Sequence, residues 1–130
     1  MWSIVPTPEY KRSAKWHSKK RHAEYLAMLD NLDTYFQELQ SGQKSLQIRH
    51  GFLHTETHGA YAIDQRGAPG KPIQTRLYIY PDTEERILYL ITIGDKQSRQ
   101  SDLAICRELI VGIREERNYG KEQAGNDGGG

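Results

Sequence analysis

Gln74-Thr75-Arg76-Leu77-Tyr78-Ile79-Tyr80-Pro81-Asp82-Thr83-Glu84-Glu85-Arg86-Ile87-Leu88-Tyr89-Leu90-Ile91-Thr92-Ile93-Gly94 decides the fold of this chain. From Ile73 to Tyr80 the side chains alternate. Arg76, Tyr78 and Tyr80 fall on one face and Leu77 and Ile79 on the other, the period of a β-strand. Pro81-Asp82-Thr83-Glu84-Glu85 carries the chemistry of a hairpin turn. Arg86 to Ile93 then runs almost without a polar break, which predicts a central strand buried on both faces. Arg76, a charged residue in the neighbouring strand of a sheet that packs on helices, must reach a cleft or a partner.

Working outward toward the N-terminus, Ala60 to Arg66 reads as the preceding strand, followed by the loop Gly67-Ala68-Pro69-Gly70-Lys71-Pro72. Leu46, Ile48 and Phe52 suggest an extended segment, broken by Gly51 and Gly59. Before it the period changes to helical: Tyr25, Met28, Leu29, Leu32, Tyr35, Phe36 and Leu39 recur at spacings of three and four. Thr7-Pro8-Glu9 supplies a cap, a first-turn proline and a dipole-matched acid. Gly42 supplies the stop. A break near residues 19–22 makes this a helical hairpin or one bent helix. Trp2 to Val5 is a short first strand stopped by Pro6. Toward the C-terminus, a last helix is expected from Ser98 or Ser101 to Arg117, with Leu103, Cys106, Leu109, Ile110 and Ile113 inward. Residues 118–130 are expected to be a disordered glycine-rich tail, leaving residues 1–117 as a single domain. The order β-α-α-β-β-β-α predicts an α+β fold of two layers, an antiparallel meander with the helices on one face.

Composition narrows the class. A chain of 130 residues suits one core, and 36% hydrophobic with 27% charged residues is ordinary for a globular protein. No apolar run approaches the roughly 20 residues of a membrane span, and Met1 to Pro6 lacks the character of a secretory signal. A single cysteine, Cys106, rules out an internal disulfide framework and fits a reducing compartment, so a cytoplasmic location is expected. The net charge of +1 conceals a segregated segment: Lys11, Arg12, Lys15, Lys19, Lys20 and Arg21, with no acid among them. Such an excess attracts phosphate backbones; the alternative is a solvated helix face. Trp16, inside that segment, is read as a core anchor, with a contact to RNA as the alternative. No phosphate loop or dinucleotide fingerprint is present, so no cofactor is expected. His50, His54 and His58 are spaced by four, but their glycine and threonine neighbours argue against a helix, and no metal site is predicted.

In element order and in several residues the chain resembles the RelE/ParE superfamily, the toxins of type II toxin–antitoxin pairs, over about residues 2–116. Trp2 to Tyr10 is similar to the family's opening strand and helix start. Gln74 to Tyr80 resembles its strand with an Arg-Leu-Val-Tyr type sequence, and Ile91-Thr92-Ile93-Gly94-Asp95-Lys96 its aliphatic strand ending in glycine and a basic residue. The separation of Arg76 from Gly94 matches the RelE branch.

That branch implies a ribosome-dependent mRNA endoribonuclease working without a metal, with a cognate antitoxin, the ribosome and mRNA as partners. The ribose 2′-OH attacks the neighbouring phosphate and leaves a cyclic phosphate. By position, Arg76 resembles the arginine that stabilises the phosphorane, whose fork matches phosphate oxygens. Lys96 takes the place of the basic residue beyond the glycine, and Arg66 adds a third cation.

The chain departs from RelE at Ala62 and Asp64, which stand where lysines are usual, at Asp102, which replaces a tyrosine, and in the longer loop 67–72. Proton transfer therefore falls to Asp64, His54, His58, Tyr78 or Tyr80. Asp64 is either a base or an ordinary partner of Arg66. Tyr78, Tyr80, His54 and His58 are also candidate RNA contacts, beside the basic segment, with packing beneath the helices an equal alternative for the two tyrosines. Two alternatives stay open, a ParE-like toxin that binds DNA gyrase without catalysis and a degenerate RNA-binding or interaction module.

Overall fold

The structure, a computed structural model, describes the backbone of residues 1–128 and the side chains of residues 1–123. Its elements are β1 (Ser3–Pro6), α1 (Pro8–Lys20), α2 (His22–Gln40), β2 (Leu53–Thr55), β3 (Tyr61–Asp64), β4 (Thr75–Asp82), β5 (Ile87–Asp95) and α3 (Arg99–Gly128), with short 3-10 turns at Ser45–Gln47 and Thr57–Gly59. The α+β class holds. The strands form one five-stranded sheet in the order β1-β5-β4-β3-β2.

β2 to β5 make the antiparallel meander, and β1 closes it by pairing parallel to β5, Ser3 opposite Ile87 and Pro6 opposite Leu90. The sheet is therefore mixed and not purely antiparallel, because two helices carry the chain back from the end of β1.

The start of α1 is set by Thr7 as expected. Its Oγ1 accepts from the Tyr10 backbone N–H at 3.0 Å and donates to the Ile91 carbonyl at 2.7 Å, so one hydroxyl caps the helix and ties it to β5. Ser13 Oγ accepts from the Ile93 N–H at 2.9 Å. These contacts satisfy β5 backbone groups beyond the point where β1 stops, and they lay α1 along that strand. The helix breaks at Arg21, whose φ of −137° and ψ of 53° leave the helical region. α2 then buries Met28, Leu32, Tyr35 and Leu39, the expected stripe.

Helices cover both faces of the sheet, where the meander pattern led us to expect one. α1 and α2 pack on Ile63, Leu77, Ile79, Leu88 and Leu90. α3 packs through Cys106 and Ile110 on Ala62, Tyr78, Tyr80 and Ile91. The second face is legible only once Tyr78 and Tyr80 are recognised as core, since aromatic residues bury large areas and carry a polar tip that mimics an exposed face. α3 also runs past the expected end at Arg117 to Gly128. Tyr119, Lys121, Glu122 and Gln123 all sustain a helix, and Gly120 among them opposes it by only about 1 kcal/mol. Residues 129 and 130, the end of the expected tail, lie outside the described residues. No helix among the described residues is long and apolar enough to cross a membrane.

Candidate active site

The chemistry-bearing side chains gather at one end of the sheet, on the face shared with α3. Register places them: Asp64 of β3 lies opposite Arg76 of β4, and Arg76 lies opposite Gly94 of β5. Residues directly opposite in a ladder have Cβ atoms about 5 Å apart. On the outer strand, His54 of β2 lies opposite Ala62. It reaches Asp64, with Nε2 2.8 Å from Oδ2. Asp64 Oδ1 accepts the Arg66 backbone N–H at 2.7 Å, so both carboxylate oxygens are engaged. The Asn31 side chain of α2 donates to the carbonyls of Asp64 and Arg66 and fixes the strand end from the opposite layer.

Arg76 emerges between two shallow depressions. One, of about 350 Å³, is lined by His54, Asp64, Arg66, Gln74 and Arg76. The other, of about 280 Å³, is lined by Gln74, Arg76, Tyr78, Asp95, Lys96 and Arg99. They share Gln74 and Arg76. A larger cavity of about 550 Å³ lies toward the opposite end of β4, between Trp2, Leu39, Tyr80 and Pro81, away from these groups.

Glu56, which sequence reasoning did not single out as a functional residue, organises the cations. Its side chain is only 4% exposed, and it bridges Arg76 at 2.6 Å and Arg99 at 3.1 Å. Both arginines are thereby aimed at the same rim. The signal was present in one respect: Glu56 is the only carboxylate between Glu38 and Asp64.

Gly94 makes the close approach of α3 possible. A Cβ there would lie 1.8 Å from Asp102 Oδ2 and 2.4 Å from Ser98 Oγ. Asp102 accepts the Ser98 hydroxyl at 2.7 Å, and burial pushes its carboxyl above the usual carboxylate range. Gly51 plays the same part for Arg66, whose guanidinium occupies the space where a Cβ would stand.

Of the expected site residues, Arg76, Lys96, Arg66 and Asp64 therefore converge, with His54 beside them. Lys96 and Arg66 are exposed, while Asp64 is buried. Tyr78 and Tyr80 do not serve as stacking surfaces here: they are 1% and 8% exposed, beneath α3. Burial, with Asp102 and Glu56 nearby, pushes the Tyr78 hydroxyl up to about 12, so it stays protonated at neutral pH. His58 is exposed in the left-handed region at φ 56° and contacts the Thr57 hydroxyl, apart from His54. His50 pairs instead with Glu38 at 2.6 Å. Lys11, Arg12, Lys15, Lys19 and Lys20 are exposed on α1, with Arg21 half-buried at its end. Trp16, expected in the core, is 47% exposed.

Comparison with protein-family models, with curated proteins and with solved structures finds no match to this chain.

Proposed function

We propose that the chain is the toxin of a type II toxin–antitoxin pair with a RelE/ParE-like topology, acting as a ribosome-dependent mRNA endoribonuclease. One observation carries this reading: Arg76 stands between a hydrogen-bonded His54–Asp64 pair and the cations Lys96 and Arg99, on a rim open to solvent. The pair supplies what transfer from a ribose hydroxyl needs. Asp64, as acceptor, holds the Nε2–H tautomer of His54 and leaves the Nδ1 lone pair free to take a proton. The ribose 2′-oxygen then attacks the adjacent phosphorus as its proton passes to His54. The bond from phosphorus to the 5′-oxygen breaks, giving a cyclic phosphate, and the leaving oxygen takes a proton from the basic side, where Lys96 stands. Arg76 stabilises the dianionic phosphorane through its fork of donors.

In this reading His54 is the base and Asp64 its positioning partner, supported by the contact between them. Arg66 and Arg99 steer the strand. A phosphate entering the site competes with Glu56 for Arg76, so the carboxylate holds the arginine ready in its absence.

The test is induced expression of wild type, Arg76→Ala/Lys96→Ala and His54→Ala chains, with mapping of mRNA 5′ ends. Growth arrest with cuts inside translated codons, lost in both variants, is the expected result. Arrest without cleavage assigns the chain to gyrase binding, and absence of arrest assigns it to a non-toxic module.

A further inference from the structure

We propose that Trp16 and Arg21 form a stacking platform for an unpaired RNA base, with the lysines around them holding the flanking phosphates. The inference rests on the RNA-directed reading above and names a contact outside its catalytic residues. Tryptophan buries more apolar area than any other side chain and ordinarily belongs to a core or an interface. Here Ala14 and His17, on the same helix, are buried, while Trp16 keeps close to half its surface in water, at 47% exposure. The ring is nonetheless held. The Arg21 guanidinium lies 5.4 Å from its centroid, and the His17 ring packs against it at 4.8 Å, tilted by 59°. An indole steadied by a cation and left open is a surface already ordered for a planar ligand.

Its surroundings specify which ligand. At 3.6 residues per turn, Arg12, Lys19 and Lys20 lie within roughly 60° of Trp16 around the helix, and Lys15 about 100° away. Residues 11–21 hold six Lys and Arg and no acid. Glu9 is the nearby carboxylate of the helix, and it is taken up by Arg12. Charge complementarity therefore selects a polyanion. The tryptophan selects within that class. An acidic peptide would match the lysines and leave the ring unpartnered, and a duplex keeps its bases stacked out of reach. A single strand offers both a phosphate chain and free base faces.

The helix that carries the platform also ends at the same end of the sheet as the proposed site. α1 runs along β5, tied through Thr7 to Ile91 and through Ser13 to Ile93, and His17 near its end lies in the field of Asp95. Asp95 lines the depression of Lys96 and Arg76.

The experiment uses the full chain with Trp2→Phe, which leaves Trp16 as the only tryptophan. Its fluorescence is titrated with a 12-nucleotide single-stranded RNA, with the same sequence as a duplex, and with poly-glutamate. Saturable quenching by the single strand, much weaker with the duplex, is expected. Trp16→Ala weakens binding roughly tenfold, and Trp16→Phe recovers most of the loss. Lys15→Ala/Lys19→Ala lowers the slope of log K against log salt by about 1.4. These residues are exposed, and unchanged melting temperatures confirm folding. No quenching, or Trp16→Ala binding within twofold of wild type, overturns the proposal. Poly-glutamate binding as tight as RNA overturns it in favour of an acidic protein partner. The outcome is independent of cleavage. Quenching that persists in a chain that never cuts mRNA sinks the nuclease reading alone, and cleavage with Trp16→Ala binding normally sinks the platform alone.

Discussion

Replacing Gly94 by alanine tests the packing that places α3 over the site. The new methyl would stand 1.8 Å from Asp102 Oδ2 and 2.7 Å from its Cγ. Two routes relieve the clash. α3 can lift, at the cost of overpacking, about 1–3 kcal/mol. Alternatively Asp102 can swing away and surrender its 2.7 Å bond from Ser98, a charge-assisted interaction of about 1.5–3 kcal/mol. The routes are alternatives, so the expected loss is about 2 kcal/mol. In a domain of this size that lowers the melting temperature by roughly 5–10 °C. Urea unfolding and thermal melts of Gly94→Ala, Asp102→Ala and the double variant give the coupling. In the Asp102→Ala background the carboxylate is gone and only the Ser98 hydroxyl, 2.4 Å from the new methyl and freed of its bond to Asp102, has to turn aside, so the methyl should cost less than in the wild type. Equal losses in both backgrounds, or a loss below about 0.5 kcal/mol in the wild type, would refute the argument that Gly94 is there to admit Asp102.

Other expectations follow from the site and its surroundings. His54→Ala should lower RNA cleavage by roughly 10²–10⁴-fold, and Asp64→Asn by less with an altered pH profile; equal, pH-independent losses would show that the pair only supports the fold. Glu56→Gln removes the competitor for Arg76 and should tighten single-stranded RNA binding in a fluorescence titration; weaker binding would mean that Glu56 chiefly orients the arginines.

His17 is buried with no hydrogen-bond partner on either ring nitrogen, and burial, helped by Arg21 and opposed by Asp95 and Glu24, holds its pKa below the ordinary 6.5. The unfolded chain therefore binds the proton first. Stability from neutral His17 is full above 6.5 and is lost as pH falls from there toward the folded value. Asp102 acts oppositely at lower pH, since its raised pKa lets the folded state gain a proton first. Melts of His17→Gln from pH 7.5 to about 5 should show a flatter slope than wild type; an unchanged slope would refute the assignment.

Much of this architecture was legible because it depends on local pattern. The break at Arg21, the α2 stripe, the cap at Thr7 and the hairpin between β4 and β5 all follow from neighbours in sequence. β2 was not legible: three residues beside glycines carry no period, and they become a strand only by pairing with β3. The same distance hid the partners of the site. Arg76 was identifiable by type and position, but Glu56 stands 20 residues before it and meets it only through the sheet. Tyr78 stood open between core packing and an RNA contact, and Trp16 was read as a core anchor. An aromatic ring suits a core and a ligand equally well, and the layer that decides, α3 over Tyr78 and open water over Trp16, is not encoded near either residue.

The parallel pairing of β1 with β5 has a kinetic consequence. Thr7 and Ile91 are bonded across 84 residues, and the first strand has no ladder partner until the last one exists. On a ribosome emitting the chain from its N-terminus, α1 and α2 can form early, since their contacts are local. The sheet cannot close, and Arg76, Lys96 and Arg99 cannot be brought together with the His54–Asp64 pair, until the segment through Arg99 has emerged. The topology thus works as a delay: the assembled rim exists only once the chain has been made through β5 and the start of α3.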